Sequence, residues 1–311
     1  MDVKAAAHMQ TGRLHTNDGK RQKMETIRTY AKLMRVHHYI KNILVLAALG
    51  CSGRLFCLDK FMAALAGFAA FCMVSSVIYI INDIRDAERD RHHPVKRNRP
   101  VASGKISVRN AWILVVILLA AAAVFHALTF CPAAAALPAL YVALNLGYSF
   151  GLKELPLVDV SILVSGFLLR MMYGAAITDV YISNWLYLMV IDLAFYFSLG
   201  KRRNELRRIS DGATRKVLAC YSLDFLDKSM HMCLTLANAF YALWCMDTST
   251  VSHYGISLVF TVPIVLLATM RYSMDVERES DGDPVEVLLG DWVLMALCLA
   301  SFLTLFVILY F

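Results

Sequence analysis

No Cys-x-x-Cys pair occurs among the eight cysteines (51, 57, 72, 131, 220, 233, 245 and 298). A zinc site or a disulfide framework therefore has no support, and cysteines lying in or beside apolar runs act as small fillers. The histidine pairs His37–His38 and His92–His93 are adjacent, not four apart. Neither pair turns two imidazoles toward one metal from a helix face. Residues 1–28 hold no apolar core of the length a secretory signal needs, so this stretch is expected to be a mobile, basic cytoplasmic tail ending near residue 30. There is no convincing internal repeat.

What is abundant is apolar length. Of the 311 residues, 59% are hydrophobic and the mean hydropathy is +0.56, beyond an ordinary soluble domain. Stretches long enough to cross a bilayer fall near 40–58, 61–82, 110–129, 132–150, 156–177, 184–200, 229–247, 252–271 and 292–311. The expected fold is all-α, a polytopic bundle of nine transmembrane helices forming one domain over 31–311. With the start placed in the cytoplasm, 28 of the 31 Lys and Arg fall on that side; Arg54 and Lys60 fall opposite and Arg170 lies within a span. This bias predicts an integral protein of the cytoplasmic membrane, N-terminus inside and C-terminus outside. It also explains the net charge of +7 without nucleic acid.

Chemistry is expected where the charge is. Directly after the second span comes "NDIRDAERDRHHPVKRNRP" (82–100), with four acids and six Lys or Arg. If the helix continues, Asp83, Asp86 and Asp90, spaced i, i+3 and i+7, share one face with Asn82 beside them. Hard oxygen donors so arranged suit Mg²⁺, which takes one or two carboxylates together with substrate phosphates. Lys96, Arg97 and Arg99 supply phosphate donors. The competing reading is a solvated helix end with pairs such as Asp86–Arg89.

Three further segments carry candidates. In "SLGKRRNELRR" (198–208), Lys201, Arg202 and Glu205 emerge at the membrane boundary, while Arg207 and Arg208 read as ordinary inside-positive residues. The loop 271–291 is acidic, with Arg271, Tyr272, Asp275, Asp283 and Glu286 as candidates for substrate, ribose hydroxyls or a second magnesium. "YSFGLKELPLVD" (148–159) brings Tyr148, Lys153 and Asp159 to the inner face, and Lys41 lies at the headgroup end of the first span. Arg170 follows Asp159 by eleven residues, hence about 20° around the helix and ~16 Å deeper. The two share a face without touching, and a charge that deep marks a pathway or a partner.

"NDIRDAERD" at the end of an apolar helix resembles the NDxxDxxxD signature of the UbiA-type intramembrane prenyltransferases. The likeness covers roughly 30–311. "YIKNILVLAA", "HPVKRNRPVASG", "YSFGLKELPLVDV", "GFLLRMMYGA", "GKRRNEL" and "GDPVEVLLGD" look like the branch containing decaprenyl-phosphate phosphoribosyltransferase. The resemblance implies a UbiA-like bundle with its active site at the cytoplasmic face, using Asn82, Asp83, Asp86 and Asp90 for magnesium–diphosphate. It implies transfer of 5-phosphoribose from phosphoribosyl pyrophosphate (PRPP) to a polyprenyl phosphate, serving arabinose-donor synthesis for the cell envelope. Lys96 and Arg97 would neutralise the diphosphate, and Lys201, Arg202 and Lys153 would hold the lipid phosphate. Aromatic-accepting members usually carry a second acidic motif after span six, where this chain has Lys201 and Arg202. An aromatic or quinone prenyltransferase is therefore the second reading, and a transporter, which predicts midplane polar residues and repeat symmetry, the third. The expected partners are PRPP, polyprenyl phosphate and membrane lipids; a homo-oligomer is compatible with the sequence.

Overall fold

A computed structural model describes residues 23–207, 216–277 and 284–311. Most of the expected tail, Arg208, Asp283 and the side chain of Glu286 lie outside the described residues. Among the described residues there is helix and turn but no strand. The chain falls into two compact units.

The first unit holds the described part of Met1–Ile40 together with Ala69–Val124. Helix α1 (23–34) ends where Arg35 turns left-handed, at φ 52°. The unit also contains the later part of α3 (Leu58–Arg85), the short α4 (Ala87–Arg91), a 3-10 turn at Lys96–Asn98, and α5 (Val108–Ala127) up to Val124. Phe71, Cys72, Val74, Ser76, Val77, Ile78 and Ile80 are all buried, so this part of α3 is covered on every side, as an apolar helix with no polar face must be. Its Ser76 donates to the carbonyls of Met34 and Cys72 at 3.0 Å and pairs with the Tyr39 hydroxyl at 2.7 Å, tying α1 to α3. Leu33, Ile80, Val101, Ile106 and Val115 pack as one core, which holds the segment after α4 down. Ser107 caps α5 by accepting from Asn110 N, as serine does at a helix start.

The second unit holds Lys41–Phe68 and Phe125–Phe311. It is built from α2 (Leu44–Gly50), the start of α3, α6 (Ala136–Ser149), α7 (Val158–Thr178), α8 (Asn184–Arg207), α9 (Leu223–Met246), α10 (Thr248–Tyr254), α11 (Val262–Glu277), α12 (Pro284–Gly290) and α13 (Trp292–Tyr310). α7 is its axis, buried from Asp159 to Thr178 along most of its faces. Gly174 makes this possible: a Cβ there would lie 1.9 Å from the Val45 carbonyl oxygen, so the α2 and α7 backbones touch only because the side chain is absent. At the far end of α7, Lys60 donates to the carbonyls of Thr178 and Asp179 at 2.5 and 3.0 Å, satisfying helix-end acceptors with a cation. Ser222 caps α9 and Asp291 caps α13.

Five described helices are long and apolar enough to cross a membrane: Leu58–Arg85, Val108–Ala127, Val158–Thr178, Ser257–Glu277 and Trp292–Tyr310. α6 has only 14 residues, because the expected span at 132–150 opens with a 3-10 turn at Pro132–Ala135. Trp112, Val116, Ile117, Leu299, Phe302 and Leu303 are exposed. Exposed apolar helix faces of that kind, present on each unit, are a liability in water and a requirement in lipid. This is an integral membrane protein.

Candidate functional site

The first unit carries the acidic motif. α3 ends at Arg85 and α4 starts at Ala87, yet the backbone bonds Asp86 N–Asn82 O (3.0 Å) and Asp90 N–Asp86 O (2.8 Å) carry a helical path through the junction. Asp83 and Asp90 consequently face the same way. Arg99 Nη1 lies 2.6 Å from Asp90 Oδ2 and 3.4 Å from Asp83 Oδ1. Both carboxylates are buried, at 3% and 2% exposure for Asp83 and Asp90. Asp86 is more open and pairs with Arg89 at 3.4 Å, so the solvated-pair reading describes this acid and not the other two. Asn82 is half-buried, Lys96 half-buried and Arg97 exposed.

Arg35, not singled out from sequence, donates from Nη2 to Asp83 Oδ1 at 3.1 Å. Its guanidinium also lies 4.8 Å from the centre of the Tyr79 ring. Two arginines thus neutralise Asp83, one from 48 residues upstream. A single cationic nitrogen between Asp83 and Asp90 occupies the kind of position a metal would take, and the surrounding donors are hard oxygens, which suits Mg²⁺. Among the described residues no group of three His, Cys, Asp or Glu closes into a metal site.

The second unit gathers four of the predicted residues into one network. Arg202 Nε donates to Asp159 Oδ2 at 2.6 Å, Nη1 to Glu205 Oε2 at 2.8 Å, and Nη2 to the Tyr148 hydroxyl at 3.2 Å. Asp159 accepts a further bond from the Tyr221 hydroxyl at 2.7 Å, which in turn accepts from Leu157 N at 2.6 Å. Leu157 has φ 64°, a strained value for a leucine, and the Tyr221 bond helps to hold it. Burial alone would depress the Arg202 pKa, but Glu205, Tyr148 and Asp159 together raise it above the ordinary value. Burial, with the Asp159 contact adding to it, pushes the Tyr221 hydroxyl up to about 12. Arg202 was expected to be a phosphate donor; with 1% exposure, it is instead the hub of the network. Lys201, one residue earlier, is exposed on α8, and Lys153 is half-buried in the 3-10 turn Leu152–Glu154. Arg203, not singled out from sequence, is 3% exposed and pairs with Asp227.

Arg170 goes elsewhere. Its Nε donates to Asn42 Oδ1 at 2.7 Å, Nη1 to the Gly166 carbonyl at 2.5 Å and Nη2 to the Tyr141 hydroxyl at 3.1 Å, so Asp159 and Arg170 do serve separate networks. Lys41, beside Asn42, is half-buried. In the third predicted segment, Arg271 Nε donates to Asp291 Oδ2 at 2.6 Å, and Asp275 is 3.9 Å from Arg271. Burial works to raise the Asp291 pKa, but the bonds from Arg271, Leu294 N and Val293 N overcome it and hold it at about 2. Tyr272 stacks edge-on against Phe197 and beside Tyr196, with centroids 5.2 and 5.9 Å apart.

Comparison with known proteins gives the family. The model of the UbiA prenyltransferase family matches residues 43–215. The decaprenyl-phosphate phosphoribosyltransferase of Corynebacterium glutamicum is 36% identical over 280 residues, 86% of this chain and 83% of that protein. The protein of the same name from Mycolicibacterium smegmatis is 33% identical over 90% of this chain and 92% of its own length. Among solved structures, a UbiA homolog from Archaeoglobus fulgidus bound to GPP and Mg²⁺ has a TM-score of 0.61 at 18% identity, covering 90% of this chain and 99% of that one. A digeranylgeranylglyceryl phosphate synthase has a TM-score of 0.60 at 20% identity, covering 92% and 99%. The chain belongs to the UbiA prenyltransferase family.

Proposed function

We propose that the chain transfers 5-phosphoribose from PRPP to a polyprenyl phosphate of decaprenyl type and releases pyrophosphate. The names of its relatives support the reaction, and one structural observation carries its chemistry: Asp83 and Asp90 converge on the single cation Arg99. Asn82, Asp83, Asp86 and Asp90 would hold Mg²⁺ there. When bound, the ion supplies positive charge to the departing diphosphate.

The remaining work belongs to side chains. Arg35 and Arg99 lie against the acids, and they, with Lys96 and Arg97 of the following segment, would give the diphosphate donors as its charge grows. The bond from ribose C1 to the pyrophosphate oxygen breaks, and one from C1 to an oxygen of the lipid phosphate forms. That oxygen is already anionic, so no base has to remove a proton. Lys201 and Lys153 would hold the acceptor phosphate, and Arg202 would fix the Tyr148, Asp159 and Glu205 framework that positions them. Catalysis on this reading is positioning plus charge stabilisation.

The excess of Lys and Arg in segments 83–109 and 201–228 supports siting this chemistry on the cytoplasmic face, with the N-terminus inside and the C-terminus outside; the product would feed arabinose-donor synthesis for the cell envelope. The purified protein, given PRPP and polyprenyl phosphate, should release pyrophosphate only with both substrates present and only with Mg²⁺. Pyrophosphate release that needs neither the lipid nor the metal would defeat the proposal.

A further inference from the structure

At the end of α7 away from Asp159, three connections of the second unit meet: the turn 51–54 after α2, the segment 179–183 between α7 and α8, and α10. They enclose a cavity of about 360 Å³, inside the ~300–1,000 Å³ range of small-molecule sites. Arg54, Asp179 and His253 line it, with Tyr181, Trp244 and Tyr254 as aromatic surface. The walls are braced. Tyr310 donates its hydroxyl to the Gly50 carbonyl at 2.8 Å, Ser52 Oγ accepts from Arg54 N at 3.2 Å, and a Cβ at Gly53 would lie 3.2 Å from the Tyr254 ring. His253 Nδ1 donates to the Ser249 carbonyl at 2.8 Å, which leaves Nε2 of the neutral ring an acceptor. Asp179 also lines a second cavity of the same unit, of about 730 Å³, whose walls are chiefly apolar and include Met62, Leu65, Phe125, Leu128 and Ile177. Lys60, beside it, is already engaged by the Thr178 and Asp179 carbonyls.

We infer that the two cavities together hold one phospholipid with a zwitterionic, primary-amine headgroup. Its phosphate meets Arg54, its ammonium meets Asp179, and its acyl chains run along the apolar walls of the larger cavity. Depth argues for a lipid. α3 starts at Leu58, α7 ends at Thr178 and α13 ends at Tyr310, so the polar cavity sits where three long apolar helices leave the hydrocarbon. Exposed Phe56 and Tyr181 lie at the same level, as aromatic residues do at a membrane interface. Charge argues for the headgroup. Among the described residues no ion pair engages the side chain of Arg54 or of Asp179, and the two offer one charge of each sign. An anionic headgroup would satisfy Arg54 and set a like charge beside Asp179; a quaternary amine would bring no N–H to the Asp179 carboxylate or to His253 Nε2. The site lies at the opposite end of a 21-residue helix, roughly 30 Å, from the Asp159–Arg202 network. It is therefore separate from the proposed reaction, and a lipid bound there stabilises the folded unit by mass action.

The test uses the delipidated full-length protein in detergent, titrated with phosphatidylethanolamine, phosphatidylcholine, phosphatidylglycerol, diacylglycerol and the chain-free headgroup glycerophosphoethanolamine. Native mass spectrometry counts bound lipid, and thermal unfolding reads its effect. One phosphatidylethanolamine should be retained, raising Tm by about 3 °C or more at saturation. The choline and glycerol lipids should bind about tenfold more weakly, and diacylglycerol and the free headgroup should give no shift. Asp179 has φ 47°, a conformation asparagine adopts readily. Asp179→Asn should therefore fold, weaken phosphatidylethanolamine about tenfold and leave phosphatidylglycerol binding as it was, whereas Arg54→Gln should weaken both. Equal retention of the ethanolamine and glycerol lipids by the wild type, or an unchanged preference in Asp179→Asn, would overturn the inference. So would a free headgroup as effective as the intact lipid. If Asp179→Asn does not fold, the comparison of lipids on the wild type and on Arg54→Gln decides alone.

Discussion

Arg202 Nε donates to Asp159 Oδ2 across 2.6 Å with the two side chains 1% and 0% exposed. A buried pair of this kind is held by mutual desolvation: each charge is tolerable only because the other is present. Removing one partner leaves the other without compensation. Asp159→Ala is expected to destabilise the protein by about 3 kcal/mol, visible as a lower Tm in detergent. Arg202→Lys should not restore stability, because an ammonium cannot reproduce three bonds in a planar fork. An unchanged Tm accompanied by a raised KM would mean that Arg202 serves the substrate directly.

Asp86 and Asp83 of the motif should separate by function. Asp86 is partly exposed, so Asp86→Asn is expected to leave Tm unchanged and to lower kcat about a hundredfold or more by weakening charge stabilisation. Asp83→Asn should abolish product formation and magnesium dependence, the protein remaining folded. Wild-type turnover in Asp83→Asn would remove the motif from the mechanism.

Gly174 packs its backbone directly against that of Val45. Gly174→Ala pushes a methyl group into the Val45 carbonyl, and overpacking of this kind costs about 1–3 kcal/mol or more. Reduced folded yield on size-exclusion chromatography is the expected result. Wild-type yield and Tm would show that α2 can slide along α7.

Asp291 gives a pH dependence. Its carboxyl is held at about 2 in the folded protein, below the ordinary ~3.9. Its contribution is therefore full above ~4 and is lost as pH falls from there through about 2. In Arg271→Gln the opposing bond is gone and the folded-state pKa rises toward the ordinary value, so the stability lost between pH ~4 and ~2 should be smaller than in the wild type, followed by thermal unfolding across an acid series. Superimposable curves would contradict the assignment.

These sites differ in how far sequence alone exposed them. The spacing of Asp83 and Asp90 is a local property of helix geometry, so their common face was legible, as were the apolar lengths that make the protein a membrane protein. Arg35 was not. It is itself a left-handed non-glycine residue, at φ 52°, and meets Asp83 from 48 residues away, neither of which local propensity announces. Tyr221 lies 62 residues from the Asp159 it bonds, and Asn42 lies 128 from Arg170; such pairings are set by helix packing. Arg202 shows the reverse failure. Its position after a span fits phosphate binding, but burial turned it inward, and only the partners on α6 and α7 reveal that.

The most direct test of the account is the mass of the lipid product. Protein supplied with PRPP, polyprenyl phosphate and Mg²⁺ should yield a lipid heavier than the acceptor by one phosphoribosyl group, absent when Asp83→Asn replaces the wild type. An unchanged lipid, alongside a prenylated ring when the same protein is given a prenyl diphosphate and an aromatic acceptor, would contradict it.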